Sequence, residues 1–364
     1  MFARKSRDPL LSFFPIPKLL AMDAAGLEIS EHSLKYLYLS GEKRLRLKSF
    51  GNKDLPAGVI AHGEIEDVSA LAGALRELRD EIGTSRVHVS LPEQKGYVFR
   101  MTSPRVQDLS VREAIEFRLE EYVPLPPGDV VFDWEVLEGE STPTELALNV
   151  TAFPRTTIEE YYEALSSAGY VPLSFEIESQ AAARAVLPLG HKGAALIVDF
   201  GETRTAIAVV QHGIVRFTTS LELAGGALTT ALIKKLGVTP QEAERLKNEE
   251  GVANVGGRAA EVIGPIITSL RNEIQRHFLY WHTHGEAAGL AHEPIDTIIL
   301  CGGNANVRGL STFLSQTMRA RVELARVWQN AFDLSGYIPP VPHNHSLRYA
   351  TVTGLALRKG IQNT

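Results

Sequence analysis

The sequence predicts an α/β protein that is built from two similar halves. A plan of strand, tight turn, alternating strand, turn and third strand starts at Gly26 and starts again at Ala194. Each set of three strands runs on to a helix, and the two sets are offset by 171 residues (199 − 28 = 171). A repeat at so long a spacing indicates two related halves and not a solenoid. The chain of 364 residues is long enough for two or three domains.

The second half opens with a hairpin that carries an acidic residue at the end of a buried strand. The run Ala194–Val198 is short and β-branched, which favours a central strand, and Thr205 begins a second strand after the turn at 201–204. Asp199 ends the first strand, and Gly201 lets the backbone turn closely beside a ligand. A carboxylate here suits a magnesium ion carried on a phosphate. An ordinary hairpin with a turn-forming glycine explains the same stretch, so both interpretations stay open.

The first half contains the corresponding hairpin within the stretch GLEISEHSLKYLYLS, residues 26–40. In the common register Glu28 stands where Asp199 stands, and Ser30 stands where Gly201 stands. Two acidic residues, one on each turn, would bracket a phosphate chain and its metal. The repeat therefore makes Asp199 and Glu28 candidate metal ligands.

A small β-α-β-β unit, residues 93–153, interrupts the first half. It begins with the strand Tyr97–Met101, and a capping box at Ser110 then opens a helix with one apolar face. The proline-rich stop YVPLPPGD follows, and two further strands are expected at Val131–Leu137 and Leu146–Ala152. Because a phosphate site does not need this unit, it is a candidate for a separate task.

The second half continues through a long amphipathic helix, despite Pro265, to the strand Thr297–Cys301. Gly302 and Gly303 follow that strand and precede a helix, which predicts another turn of close backbone approach. The final helix is expected to pack back on the first half. The predicted divisions are an N-terminal extension, the first half in two parts around the insertion, the second half and the last helix: 1–22, 23–92, 93–153, 154–190, 191–340 and 341–364.

Composition excludes several classes of function. The net charge is −6, so no basic field predicts nucleic-acid binding. Cys301 is the single cysteine, which rules out an internal disulfide and fits a reducing compartment. No apolar stretch approaches the ~20 residues that cross a bilayer. Prolines interrupt the apolar part of residues 1–22, which favours a segment that covers the body or touches a membrane surface over a signal peptide.

Together these motifs resemble those of the actin-like ATPase superfamily, which includes Hsp70, sugar kinases, MreB and FtsA. VDFGETRTAIAVV is similar to its second phosphate hairpin, GLEISEHSLKYLYL to the first, and ILCGGNANVRGLSTFL to its adenosine turn. ELAGGALTTAL resembles the segment after the second hairpin, and AERLKNEEG the helix whose Glu and Lys touch ribose and base. The resemblance implies a duplicated, ribonuclease H-like fold that binds ATP or ADP with Mg²⁺. The nucleotide contacts that it implies are Asp199, Gly201, Thr203, Gly225, Gly226, Glu244, Lys247, Gly302, Gly303 and Asn304.

Within this superfamily the chain resembles the PilM family, the cytoplasmic actin-like proteins of type IV pilus assembly. The likeness runs from Gly26 to Arg358 and is carried by LPAGVIAHGEIEDVSAL, EAIEFRLEEYVPLPPGDVVFDWEVL and TVTGLALR. The family implies an ATP-binding scaffold that the N-terminal tail of a PilN-type protein holds at the inner membrane; polymerisation stays open. The insertion, which is similar to the SHS2-like 1C subdomain of FtsA, is expected to form a groove for that tail. Its expected groove residues are Tyr97, Phe99, Ile115, Leu119 and Tyr122.

The sequence of the first hairpin departs from the superfamily pattern, and this departure bears on ATP hydrolysis. The first hairpin there usually reads Asp-x-Gly, whereas this chain has Glu28-Ile29-Ser30. We therefore expect nucleotide binding with at most a weak ATPase activity. Glu178 matches the position where MreB-like proteins carry a glutamate that orients the attacking water, although a solvated glutamate at a helix start is the simpler interpretation.

Three alternatives of the same fold stay open. A small-molecule kinase needs a substrate lobe with a general base, and the insertion offers no obvious one. An FtsA-like tether carries an amphipathic helix after its body, and a GspL-like adaptor continues into a membrane span; neither is expected here. A histidine metal site is also not expected, because His282 and His284 lie two positions apart on a helix and so face different directions.

Overall fold

The computed structural model describes residues 23–41, 45–105, 110–284 and 293–358, so the predicted N-terminal extension lies outside the described residues. The chain divides into two compact units. Unit 1 contains residues up to Ala182 together with Ala331–Ile338 and the segment from Thr351. Unit 2 contains Ala183–Asn330 and Pro339–Ala350.

The boundary after Ala182 lies earlier than the predicted boundary after residue 190. Its physical reason is the side chain of Asn330, which belongs to unit 2. The Asn330 amide donates hydrogen bonds to the backbone oxygens of Leu187, at 2.5 Å, and Arg184, at 2.8 Å. These bonds tie the segment after Ala182 to unit 2.

Unit 1 is organised around a five-stranded sheet with the order β10-β6-β1-β2-β3. Strands β1, β2 and β3 form an antiparallel meander, and β6 and β10 run parallel to β1. The strands outside the insertion are β1 (Ala25–Ile29), β2 (Ser33–Ser40), β3 (Arg46–Asp54), the short pair β4 (Ile60–Ala61) and β5 (Glu64–Ile65), β6 (Arg86–Leu91) and β10 (Val171–Ile177). The helices are α1 (Val68–Ile82), α3 (Arg155–Ser167), the start of α4 (Glu178–Val186) and nearly all of α10 (Ala350–Ala356).

The two faces of this sheet differ in polarity. One face joins α1 and α3 in a single apolar core, in which Leu27, Leu75 and Val89 are fully buried. The other face carries polar side chains and lies against α10, since a Cβ on Gly26 would stand 2.3 Å from the oxygen of Val352. Only glycine allows this approach of helix to strand.

The inserted subdomain has the predicted β-α-β-β order. It consists of β7 (Tyr97–Pro104), α2 (Val111–Arg118), β8 (Val130–Val136) and β9 (Glu145–Pro154). The strands form a separate antiparallel sheet with the order β7-β9-β8. α2 begins with the predicted capping box, in which Ser110 and Glu113 bond each other's backbone N–H groups.

Unit 2 repeats the strand order of unit 1 in the sheet β13-β12-β11-β14-β15. Again three antiparallel strands are followed by two parallel ones. The strands are β11 (Ala194–Phe200), β12 (Thr205–Gln211), β13 (Ile214–Leu221), β14 (Ile295–Cys301) and β15 (Arg321–Leu324). The helices are α5 (Gly225–Leu236), α6 (Pro240–Glu249), α7 (Arg258–His284), α8 (Leu310–Thr317) and α9 (His343–Ser346).

The strand register confirms the duplication. Glu28 pairs with Lys35 across the first hairpin, and Asp199 pairs with Ala206 across the second. Both members of the second pair lie 171 residues beyond those of the first (199 − 28 and 206 − 35). The actin-like duplicated architecture is therefore present at the level of individual strand pairs.

The long helix α7 runs without a break through Pro265, as predicted. It has 27 residues, but within the described ranges no helix is both long and apolar enough to span a bilayer.

Candidate functional site

The candidate site of unit 2 is built where β11 and β14 end side by side. Asp199 is the last residue of β11 to pair with β14, opposite Cys301. A Cβ on Gly302 would stand 2.4 Å from the Asp199 Oδ1 atom, and Gly302 has a positive φ of 86°. Glycine is thus required there both for its backbone conformation and for the close approach to this carboxylate. The two turns that the sequence singled out separately are in contact.

Asn304 connects this turn to the hairpin and to the start of α5. Its Nδ2 atom donates to the oxygen of Gly201 and to Oε2 of Glu202, both at 3.1 Å. The same Gly201 oxygen accepts the N–H of Gly225 at 3.0 Å, and a Cβ on Gly225 would overlap the Asn304 amide at 1.9 Å. Asn304 is buried, with 6% of its surface exposed, so it serves this arrangement by holding three segments together.

Two other predicted contacts complete the turn. Gly226 follows Gly225 in α5 and donates its N–H to the oxygen of Glu202 at 2.9 Å. Thr203 lies half-buried in the hairpin turn. The Gly201 N–H closes that turn by donating to the oxygen of Arg204 at 2.9 Å.

Lys247 and Glu244 form a second polar group on α6. The Lys247 side chain is 1% exposed, and its ammonium donates to Glu244 Oε1 at 2.6 Å and to Thr229 Oγ1 at 2.8 Å. The Thr229 hydroxyl in turn donates to the same Glu244 oxygen at 2.7 Å. Because Glu244 is about half exposed, this trio presents a carboxylate that a buried lysine and a partly buried threonine hold in place. Lys247 is therefore placed to position Glu244, and Thr229 is a member of the group that sequence reasoning missed.

The residues of unit 2 fit a magnesium nucleotide. Gly303 has open space where a Cβ would point, with no atom within 4 Å, so a ligand can approach its bare backbone. Among the described residues no three His, Cys, Asp or Glu side chains are arranged to hold a metal by themselves. A cation that arrives on phosphates needs fewer protein ligands, and a single carboxylate such as Asp199 suits it.

The hairpin of unit 1 has a different charge arrangement. Glu28 is buried and forms an ion pair with Lys35, its cross-strand neighbour. The Ser30 hydroxyl donates to the oxygen of Ser33 at 2.9 Å, within the turn. In unit 2 the position of Lys35 is taken by Ala206, so the two hairpins share a register but differ in charge. The seven-residue spacing of Glu28 and Lys35 across a short turn is the sequence signal that could have identified this pair.

Glu178 is the first residue of α4, in unit 1. The next residue, Ser179, donates its backbone N–H to the buried carboxylate of Glu93 at 3.1 Å. Burial, and after it the charge of Glu178, raises the pKa of the nearby Tyr161 hydroxyl far above its usual range. Whether Glu178 acts on a water molecule stays a prediction.

The predicted groove residues fall into two groups. Ile115 and Leu119 are fully buried in the core of the inserted subdomain, so they support the surface but do not form it. Tyr97, Phe99 and Tyr122 are partly buried, and the rings of Phe99 and Tyr122 stack at 4.4 Å with planes 7° apart. The surface that this part of the inserted subdomain offers to a partner is therefore formed by the aromatic side chains of Tyr97, Phe99 and Tyr122.

Strand β7 forms the edge of the subdomain sheet next to these rings. In the order β7-β9-β8 no described strand lies on the outer side of β7. Arg118 at the end of α2 donates to the oxygen of Thr102 at 3.1 Å, and the same arginine reaches the Tyr122 hydroxyl at 3.1 Å. Since backbone groups alternate in direction along a strand, those of Val98 and Arg100 also point outward.

Comparison with known proteins places this arrangement in a wider group. The cell division protein FtsA of Escherichia coli (strain K12) is 28% identical over 151 residues, 35% of this chain and 36% of FtsA, so the chain matches about a third of that protein's length. The solved MreB5 of Spiroplasma citri bound to AMPPNP has a TM-score of 0.52 at 12% identity, over 92% of this chain and 95% of that one.

A solved PilM-PilN type IV pilus biogenesis complex has a TM-score of 0.76 and 24% identity to this chain, and the match covers 93% of this chain and 98% of that one. These likenesses show an actin-like fold. The model of the family described as type IV pilus assembly protein PilM matches residues 26–360. The chain therefore belongs to the PilM family of type IV pilus assembly proteins.

Proposed function

We propose that this protein is a nucleotide-binding scaffold of type IV pilus assembly that also captures the N-terminal tail of a PilN-type inner-membrane protein. The observation that supports the nucleotide part is the contact of two glycine turns around one carboxylate in unit 2. A Cβ on Gly302 would meet Asp199, and one on Gly225 would meet Asn304, whereas Gly303 faces open space. The backbone of Gly302 lies close to the Asp199 carboxylate, and the backbone of Gly303 is bare on one side. This arrangement suits a phosphate chain with its cation.

The roles of the residues follow from their surroundings. Asp199 would face the Mg²⁺ of ATP or ADP, and Gly201 and Thr203 would border the phosphates. Gly302 and Gly303 would border the adenosine. Glu244 would accept from the ribose hydroxyls, because Lys247 and Thr229 hold its carboxylate at the surface. When bound, Mg²⁺ supplies positive charge that offsets the charge of the phosphates.

The partner part of the proposal rests on the inserted subdomain. An extended peptide can add to a sheet edge, where main-chain hydrogen bonds give affinity and side-chain pockets give specificity. β7 offers such an edge at Val98 and Arg100, beside the stacked rings of Phe99 and Tyr122. In this proposal a PilN-type tail lies along that edge and holds the protein at the inner membrane.

Isothermal titration tests both parts separately. ATP with Mg²⁺ and a synthetic peptide of the PilN-type tail from the same organism should each bind one site per chain. If ATP binds and the peptide does not, the partner part is refuted and the nucleotide part stands. If the peptide binds and ATP does not, the nucleotide part is refuted and the partner part stands.

Steady-state hydrolysis of ATP should be very slow or absent, even where binding is measurable. The reason is that Glu28 is paired with Lys35 and that Ser30 replaces the usual glycine. The first hairpin therefore lacks the Asp-x-Gly pattern that is usual in the superfamily. Phosphate release measured at saturating ATP checks this expectation. Turnover at about 1–10³ per second, which is typical of enzymes, would contradict it.

A further inference from the structure

A cavity of about 200 Å³ lies in unit 2, beside the edge strand β15. Its apolar walls come from β14, from the end of β15 and from the end of α4, with the residues Ile299, Leu324, Ala325, Val186 and Pro188. None of the residues that line it belongs to the proposed nucleotide contacts. The cavity is therefore a candidate binding site in its own right.

Hydrogen bonds hold the walls of the cavity in place. Gln329 also lines it, and its side-chain amide donates to the backbone oxygen of Val186. The N–H of Ala325 donates to the oxygen of Leu300 at 2.8 Å, which continues the pairing of β15 with β14. Because these segments are already tied together, a ligand does not have to order them, and such ordering is a large part of the cost of binding.

Charged side chains that reach solvent also line the cavity, namely Arg321, Glu323 and Arg326. Arg321 donates to the hydroxyl of the buried Thr297 at 3.2 Å, and its Nε atom lies 3.9 Å from the Glu323 carboxylate. Among the described residues no carboxylate forms an ion pair with Arg326. The cavity thus carries one excess positive charge, on a guanidinium that can bind a carboxylate through two parallel hydrogen bonds.

We propose that this cavity binds a small organic monocarboxylate with an apolar body, and that Arg326 pairs with its carboxylate. The apolar body lies against Ile299, Leu324 and Ala325. A cavity of about 150 Å³ can hold a benzene molecule, so the observed volume suits a ring or a branched chain of similar size with a short acid arm. An apolar pocket with a few polar groups that fix orientation is the usual form of a small-molecule site. This inference does not depend on the proposed nucleotide site.

The first test is a calorimetric titration of the full-length protein with phenylacetate. We expect a Kd of about 1 mM or lower. Phenylacetamide has the same shape without the charge, and it should bind about tenfold more weakly because a charge-assisted pair becomes a neutral hydrogen bond. Absence of phenylacetate binding, or equal affinity for the two probes, overturns the inference.

Two substitutions with opposite expected effects then locate the site. Arg326→Gln removes the excess positive charge and should weaken phenylacetate binding about tenfold, whereas Glu323→Gln removes the negative charge and should strengthen it. Neither should change the affinity for phenylacetamide, and this result also shows that both variants are folded. Arg319→Gln is the matched control, since Arg319 is an exposed arginine of the same unit that does not line the cavity, and it should bind phenylacetate like the wild type.

The outcomes separate a built site from a general effect of surface charge. Equal phenylacetate affinity in Arg326→Gln and in the wild type overturns the inference. An equal loss in Arg326→Gln and Arg319→Gln also overturns it, because the carboxylate would then respond to charge anywhere on the surface. Weaker binding in Glu323→Gln contradicts it as well, since this carboxylate would then support the ligand and not repel it.

Discussion

Replacing Asp199 by alanine should weaken the binding of ATP in the presence of Mg²⁺ by about 1.5–3 kcal/mol, or roughly 10- to 150-fold. Asp199 is the last residue of β11 to pair with β14, and its carboxylate lies beside the backbone of Gly302. A contact between this carboxylate and a cation would have the strength of a charge-assisted bond, about 1.5–3 kcal/mol. Titration of both proteins with ATP and Mg²⁺ measures the difference.

The effect should depend on the metal. Without Mg²⁺, removal of a negative charge near the phosphates no longer costs a favourable contact, so the two affinities should converge or reverse. Asp199→Asn keeps the shape of the side chain and should behave like Asp199→Ala. Equal affinity for Mg²⁺-ATP in the wild type and both variants would remove Asp199 from the site.

A negative charge at Phe99 should abolish binding of the PilN-type tail. Phe99 stacks on Tyr122 and lies next to the outward backbone groups of β7, so Phe99→Asp disrupts the aromatic surface and places a charge in it. Burying an unpaired charge against a ligand costs several kcal/mol, which is more than a peptide of modest affinity can offset. Titration with the synthetic tail checks this expectation, and the affinity for ATP should not change.

The control for Phe99→Asp is Val136→Asp. Val136 is an exposed apolar residue on β8, the strand at the opposite edge of the same sheet. It adds the same charge to the same subdomain and should leave peptide binding intact. If Phe99→Asp loses both peptide and ATP binding, the subdomain has unfolded. If it loses neither, the tail binds elsewhere.

The elements of the fold could be predicted because local signals determine them. The strand that ends at Asp199 is short and β-branched, and Gly201 marks its turn. The offset between the two hairpins then fixed the duplication, which the paired registers confirm. The helix that starts at Ser110 was predictable for the same reason, since a capping box is a local pattern.

Long-range partners could not be predicted. Nothing in the local sequence shows that Asn304 bonds to Gly201, more than 100 positions earlier, or that its amide fills the space beside Gly225. Likewise, helical periodicity placed Ile115 on an apolar face, but it could not decide whether that face lies in a core or lines a groove. Such questions are decided by packing, which follows from the whole fold.

The most direct test of the account is the titration of the wild-type protein with ATP, once with Mg²⁺ and once with a chelator. We expect one ATP per chain with a Kd below about 1 mM, which corresponds to roughly −4 kcal/mol, and tighter binding when Mg²⁺ is present. Absence of binding at millimolar ATP, or an affinity that Mg²⁺ does not change, would contradict it.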